Sequence, residues 1–154
     1  MRVKYHIVAS AGVSLGCQAI LHSWSATLGC FLSGVLIDLD HYLEYCLSRK
    51  KFPYRYKDLV DFCWYDEEGK VYLFLHAYEY LFVLWFVIYV FCLGKVWLGV
   101  AIGLTTHLVF DQWANPGKPL FYFLTFRIKN RFEKIKTVSD VYFQRKFKKA
   151  WEKI

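Results

Sequence analysis

Residues 31–44, FLSGVLIDLDHYLE, decide how this chain is read. The stretch starts as unbroken apolar helical sequence, then presents Asp38, Asp40 and His41 within four residues, with Glu44 one turn later. Ionisable groups inside an apolar segment are costly and by default mark function there. Three other apolar segments carry the same kind of interruption: His6 opens the first, His76 and Glu79 lie in the third, and His107 and Asp111 close the fourth. Imidazoles and carboxylates are side chains that hold a divalent cation, so four such sets at matching positions point to one metal site built inside a helical bundle.

Composition sets the expected frame around that site. The chain has 154 residues, of which 56% are apolar and 21% aromatic, and a single domain of that size and character reads as a small integral membrane protein. Apolar segments run over 7–21, 25–47, 71–93 and 96–114, where about 20 helical residues cross a bilayer core. The formal charge of +7 is unevenly placed. Arg2 and Lys4 precede the first segment, and Arg49, Lys50, Lys51, Arg55, Lys57 and Lys70 separate the second from the third. Lys95 alone lies between the third and fourth, and the remaining basic residues follow from Lys118 onward. The positive-inside bias then places both termini and the long loop in the cytoplasm. The expected fold is all-α: a four-transmembrane-helix bundle over 1–118 with a polar metal site near the cytoplasmic face, and a basic amphipathic tail over 119–154. In that tail Phe143, Phe147 and Trp151 recur at helical spacing among Lys and Arg, as in an interfacial helix. Membrane lipid, through its anionic headgroups, is the expected partner, and no motif points to nucleic acid.

Spacing within each set agrees with a shared site. Asp38 and His41, and His76 and Glu79, are i and i+3, while His107 and Asp111 are i and i+4, so each pair projects from one helix face. Asp38 and Asp40 point to different sides; one is free to ligate while the other bridges, orients His41 or serves a second ion, and the sequence leaves these open. Immersing Asp38, Asp40, Glu79 and Asp111 in hydrocarbon would cost roughly 10 to 14 kcal/mol, comparable with the stability of a whole domain. One to three bound divalent ions, or bound protons, would offset that cost. The mixed donor set suits Zn2+, with Mn2+ or Fe2+ as alternatives. His22, in the turn after the first segment, reads as a packing residue. Cys17, Cys30, Cys46, Cys63 and Cys92 fall singly and read as small apolar packing groups. Ser10, Gly12, Ser14 and Gly16 are expected to let the first helix approach its neighbours closely. No phosphate-binding loop, nucleophile elbow or cysteine nucleophile pairing is present.

As a set, these motifs resemble a known family. Asp38-Leu39-Asp40-His41 after a greasy helix, an early His6, His76 opening a later segment, and His107-Leu108-Val109-Phe110-Asp111 followed by Asn115-Pro116 look like the membrane-bound metal-dependent hydrolases of bacteria and archaea. That family includes the LexA-regulated inner-membrane hydrolase type and is itself similar to zinc-dependent phospholipase C. The resemblance covers about residues 5–120. It implies a prokaryotic inner-membrane protein with His6, Asp38, Asp40, His41, His76, His107 and Asp111 as metal ligands. Many members carry an Arg-Gly-x-Thr-His run before the third helix; here Tyr72-Leu73-Phe74-Leu75-His76 stands instead, with Glu79 expected to take up part of that role. The expected function is hydrolysis of a phosphate ester or lipid-like substrate, with bound zinc lowering the pKa of water and Asp40 or Glu79 as general base. The alternative is a non-enzymatic metal-binding membrane scaffold or sensor.

Overall fold

A computed structural model of the chain describes residues 3–65, 70–115 and 117–138. These form α1 (Val3–Leu21), α2 (Trp24–Leu36), α3 (Asp40–Arg49), α4 (Tyr56–Tyr65), α5 (Tyr78–Phe91), α6 (Lys95–Ala114), α7 (Leu124–Lys129) and α8 (Lys134–Thr137). A 3-10 turn over Ile37–Leu39 separates α2 from α3, and isolated bridges pair Lys70 with Glu133 and Gly117 with Val138. The all-α class therefore holds among the described residues.

The closest packing is between α2 and α6, and small residues make it possible. A Cβ placed on Gly99 would collide with the carbonyl oxygen of Ala26, and one placed on Gly103 with that of Cys30. The two backbones thus touch at these glycines, and the Ser33 hydroxyl donates across the seam to the Val100 carbonyl at 3.0 Å. The first helix closes on the same seam, since a Cβ on Gly34 would lie 2.7 Å from Ser10 Oγ. Of the small residues expected to line that approach, Ser10 and Ser14 are buried, while Gly12 and Gly16 face open space.

No helix among the described residues is long and apolar enough to cross a membrane. This corrects the expectation of a four-transmembrane-helix bundle and, with it, the inner-membrane placement and its cytoplasmic termini. Two of the expected spans are interrupted. The 25–47 segment breaks at the 3-10 turn, leaving α2 with 13 residues. The 71–93 segment becomes helical only at Tyr78, leaving α5 with 14 residues, a length of about 21 Å against roughly 30 Å of hydrocarbon. The longer α1 and α6 are diluted with polar groups: His6, Ser10, Ser14 and Gln18 in one, Lys95, Thr105, Thr106, His107, Asp111 and Gln112 in the other.

Residues 117–138 return across the body of the protein. Tyr78 N–H donates to the Tyr122 carbonyl at 2.9 Å and Val71 N–H to that of Phe132 at 2.8 Å, while Lys118 N–H donates to the Thr137 carbonyl at 3.1 Å and ties the two ends of the segment together. Phe121, Tyr122 and Val138 join Ile37, Val71, Leu73, Leu81 and Leu108 in the main apolar cluster. Residues 119–138, expected to begin a separate tail, thus help to build the core. Phe143, Phe147 and Trp151 lie outside the described residues. A second cluster of Tyr45, Leu59 and Phe62 fastens α4 to α3, with the Arg49 guanidinium 5.7 Å from the Phe62 ring centre.

Candidate metal centre

The seam between α2 and α6 determines where His107 sits. One turn beyond Gly103, its Nδ1–H donates to the Gly34 carbonyl at 2.7 Å. A carbonyl only accepts, so this bond fixes the tautomer and leaves the Nε2 lone pair directed into the cluster. The His6 ring stacks on that of His107, 4.2 Å between centres and 19° between planes. Asp111, one turn further along α6, places Oδ1 3.1 Å from His6 Nε2, and Oδ2 3.4 Å from His107 Nε2 and 3.8 Å from His76 Nε2. The 3-10 turn supplies Asp38, whose Oδ1 lies 3.5 Å from His107 Nε2 and 4.0 Å from His76 Nε2.

These side chains form two triplets, His6 with His107 and Asp111, and Asp38 with His76 and His107; within each, all donor atoms lie within 4.8 Å of one another. Both could hold a metal ion. They share His107, whose one remaining lone pair binds a single ion, so the triplets are alternative seats or overlapping parts of one seat. A tetrahedral cation with bonds of about 2.0 to 2.1 Å separates its ligand atoms by about 3.3 Å. Four distances around Asp38 Oδ1, His76 Nε2, Asp111 Oδ2 and His107 Nε2, at 3.4 to 4.0 Å, are slightly wider than that spacing. Unmatched polar atoms point the same way. The Nε2 atoms of His6, His76 and His107, Asp38 Oδ2 and Asp40 Oδ1 are buried with no hydrogen-bond partner among the described residues. Although His6 Nε2 is 3.1 Å from Asp111 Oδ1, the pair lacks hydrogen-bond geometry. Each such orphan costs about 1 to 3 kcal/mol, and a cation would give the Nε2 atoms of His76 and His107 the partner they lack.

The other residues singled out from the sequence have different positions. Asp40 sits behind His76: its Oδ2 accepts the Leu75 N–H at 2.7 Å, the His76 N–H at 3.3 Å and His76 Nδ1–H at 3.1 Å. It thereby orients the imidazole as the carboxylates behind metal-binding histidines do, and it belongs to neither triplet. His41 is also outside both, with Nδ1 3.6 Å from Glu44 Oε2 and Nε2 4.0 Å from Asp38 Oδ1. Glu79 does not reach the cluster. Its Oε1 accepts the Thr125 N–H and hydroxyl at 2.9 and 2.8 Å, and its Oε2 accepts the Leu124 N–H at 2.9 Å, so the carboxylate caps the start of α7. The expectation that Glu79 shares a helix face with His76 is corrected for a simple reason: His76 precedes α5, in a non-helical segment.

Two residues that sequence reading left without a role support this segment. Glu44 is buried and its Oε1 accepts the Tyr72 N–H at 2.9 Å. Its spacing of three from His41 and four from Asp40 was the available signal. Arg127 is fully buried and donates from Nη1 to the carbonyls of Tyr72 at 3.0 Å and Leu73 at 2.6 Å, and from Nη2 to that of His76 at 2.8 Å. Nothing in its sequence neighbourhood separates it from the other basic residues after Lys118.

Electrostatics suit cation binding. Burial pushes the His76 imidazole below its ordinary value against the pull of Asp40, which keeps it neutral and its lone pair available. Burial would raise Asp111, but His107 and His6 overcome this and hold it well below the usual carboxylate range. Asp40 is likewise lowered, burial being outweighed by His76 and the N–H groups of Leu75 and His76. His6, His76, His107 and Asp111 are buried, whereas the side chains of Asp38 and His41 are 14% and 27% exposed.

No family model matches the chain, and no curated protein or solved structure is significantly similar to it.

Proposed function

We propose that the chain is a metal-dependent hydrolase acting on a phosphate ester or lipid-like substrate. The observation that carries this reading is the convergence of imidazole and carboxylate donors, among them the buried, unpartnered Nε2 atoms of His76 and His107, within ligand distance of one another. Asp38, His76, His107 and Asp111 would hold a divalent cation, for which Zn2+ fits the nitrogen and oxygen donors best, with Mn2+ or Fe2+ next. Such an ion, when bound, supplies Lewis acidity and activates water. Asp40 keeps the His76 ring in the ligating tautomer, and His6 stacks on His107 beside Asp111. His41, partly exposed and 3.6 Å from Glu44, would exchange protons with a bound substrate. Substrate choice rests on the resemblance of the Asp38–His41 and His107–Asp111 motifs to phospholipase-like hydrolases. The exposed chain neighbours Leu36, Leu39, Tyr42 and Leu43 suit a substrate with an apolar part.

A second reading is a metal-stabilised scaffold or sensor, favoured by the near-complete burial of four donors, since structural metal sites are closed. Asp40→Asn separates the two when metal content, fold and hydrolysis of a panel of phosphate mono- and diesters, including lipid phosphates, are all followed. Turnover that falls while metal and fold persist supports the hydrolase. A metal-loaded wild-type protein inactive across a panel on which a known phosphoesterase works would exclude it in favour of the scaffold.

A further inference from the structure

We propose that Arg127 is the positioning residue for His76: its guanidinium sets the path of the segment that delivers this imidazole to the cluster. The backbone between Tyr72 and His76 is neither helix nor sheet, so its polar groups need other partners. They find them on two sides. Carboxylates of α3 take the N–H groups, Glu44 that of Tyr72 and Asp40 those of Leu75 and His76. Arg127 of α7 takes the carbonyls of Tyr72, Leu73 and His76. Leu73 adopts φ of 34°, a conformation that a bulky residue keeps only when its surroundings impose it, and its carbonyl receives the 2.6 Å bond from Nη1. A planar guanidinium can bind three carbonyls around one turn of chain at once; an ammonium is a point donor and cannot reproduce the fork.

His107, by contrast, is held by the Gly34 carbonyl on α2 and owes nothing to Arg127. This gives an internal control. In the full-length, metal-free protein labelled with 15N-histidine, two imidazole Nδ1–H protons should be protected from exchange, that of His76 on Asp40 and that of His107 on the Gly34 carbonyl. Arg127→Gln is expected to lose the His76 signal and keep the His107 signal. Arg127→Lys, which retains the buried charge, is expected to do the same and serves as the deciding variant if the Gln form does not accumulate as folded protein. Retention of both signals would overturn the proposal, and loss of both would reduce Arg127 to a general packing role.

The consequence for metal binding rests on the reading of His76 as a ligand and is measured separately with Co2+. Affinity is expected to fall at least tenfold in Arg127→Gln, but less than twofold when the same change is made in a His76→Ala background. Equal losses in the two backgrounds would refute the link through His76. Failure of the wild-type chain to bind Co2+ would sink the metal reading, while the imidazole signals would still decide whether Arg127 positions His76.

Discussion

His107 and His6 lie side by side, yet removing each should have different effects. His107 belongs to both triplets, so His107→Ala is expected to abolish stoichiometric binding of Zn2+. His6 lies 3.1 Å from the outer oxygen of Asp111, and for an ion seated among Asp38, His76, His107 and Asp111, His6→Ala should weaken binding by no more than about 10- to 100-fold, the range for groups behind the ligands. Competition against a chromophoric chelator distinguishes these outcomes; equal abolition by both would place the ion in the His6 triplet. Protonation should also be visible in the metal-free protein. Because burial lowers the His76 value in the fold, the unfolded chain takes up the proton first as pH drops. Stability from this group is therefore complete above about pH 6.5 and is lost as pH falls from there toward the folded value. Urea midpoints measured from pH 8 to 5 should decline in the wild type and decline less in His76→Gln. A second decline below about pH 4 is expected from Asp111 and Asp40, whose folded values are also lowered.

Among the elements, α7 is only six residues long and is held by side chains from elsewhere. Glu79→Gln replaces an ionised acceptor of two N–H groups with a neutral one and is expected to cost about 1 to 2 kcal/mol in urea unfolding, with Co2+ affinity changed less than the stability. A collapse of Co2+ binding in this variant would mean that Glu79 acts in the cluster after all. What can be read from the sequence follows the same division. His6, Asp38, His76, His107 and Asp111 are identifiable because titratable residues stand out in apolar surroundings, and the i, i+4 spacing of His107 and Asp111 survives within α6. The role of Glu79 is not, because its i, i+3 spacing from His76 has meaning only on a helix that runs through residue 76. Hydropathy does not register that Asp40, Glu44 and Arg127 bind the backbone groups that a helix would have used. The 3-10 turn at Ile37–Leu39 is hidden for the same reason: its residues are as apolar as the helix before it, apart from the acid it delivers.

For the molecule as a whole, much of the apolar composition that suggested membrane spans remains on the outside. Val8, Leu15 and Ile20 of α1 and Phe82, Phe86 and Tyr89 of α5 are exposed, while His6, His76, His107 and Asp111 are buried. Hydropathy counts such residues without reporting which way they face, which is why the segments were legible and their arrangement was not. At that centre, the glycine seam has a role beyond letting two helices meet. Where side chains separate helices, the gap can breathe as rotamers change; here it is a gauge block whose thickness is that of two peptide chains, with Gly34 and Gly103 close to His107. Gly103→Ala should wedge the jaws apart and enlarge the opening between α2 and α6. Discrimination should then shift from small cations toward larger ones, read as a lower ratio of Zn2+ to Cd2+ affinity, although no donor has been altered. An unchanged ratio in a folded variant would show that ionic size is gauged elsewhere.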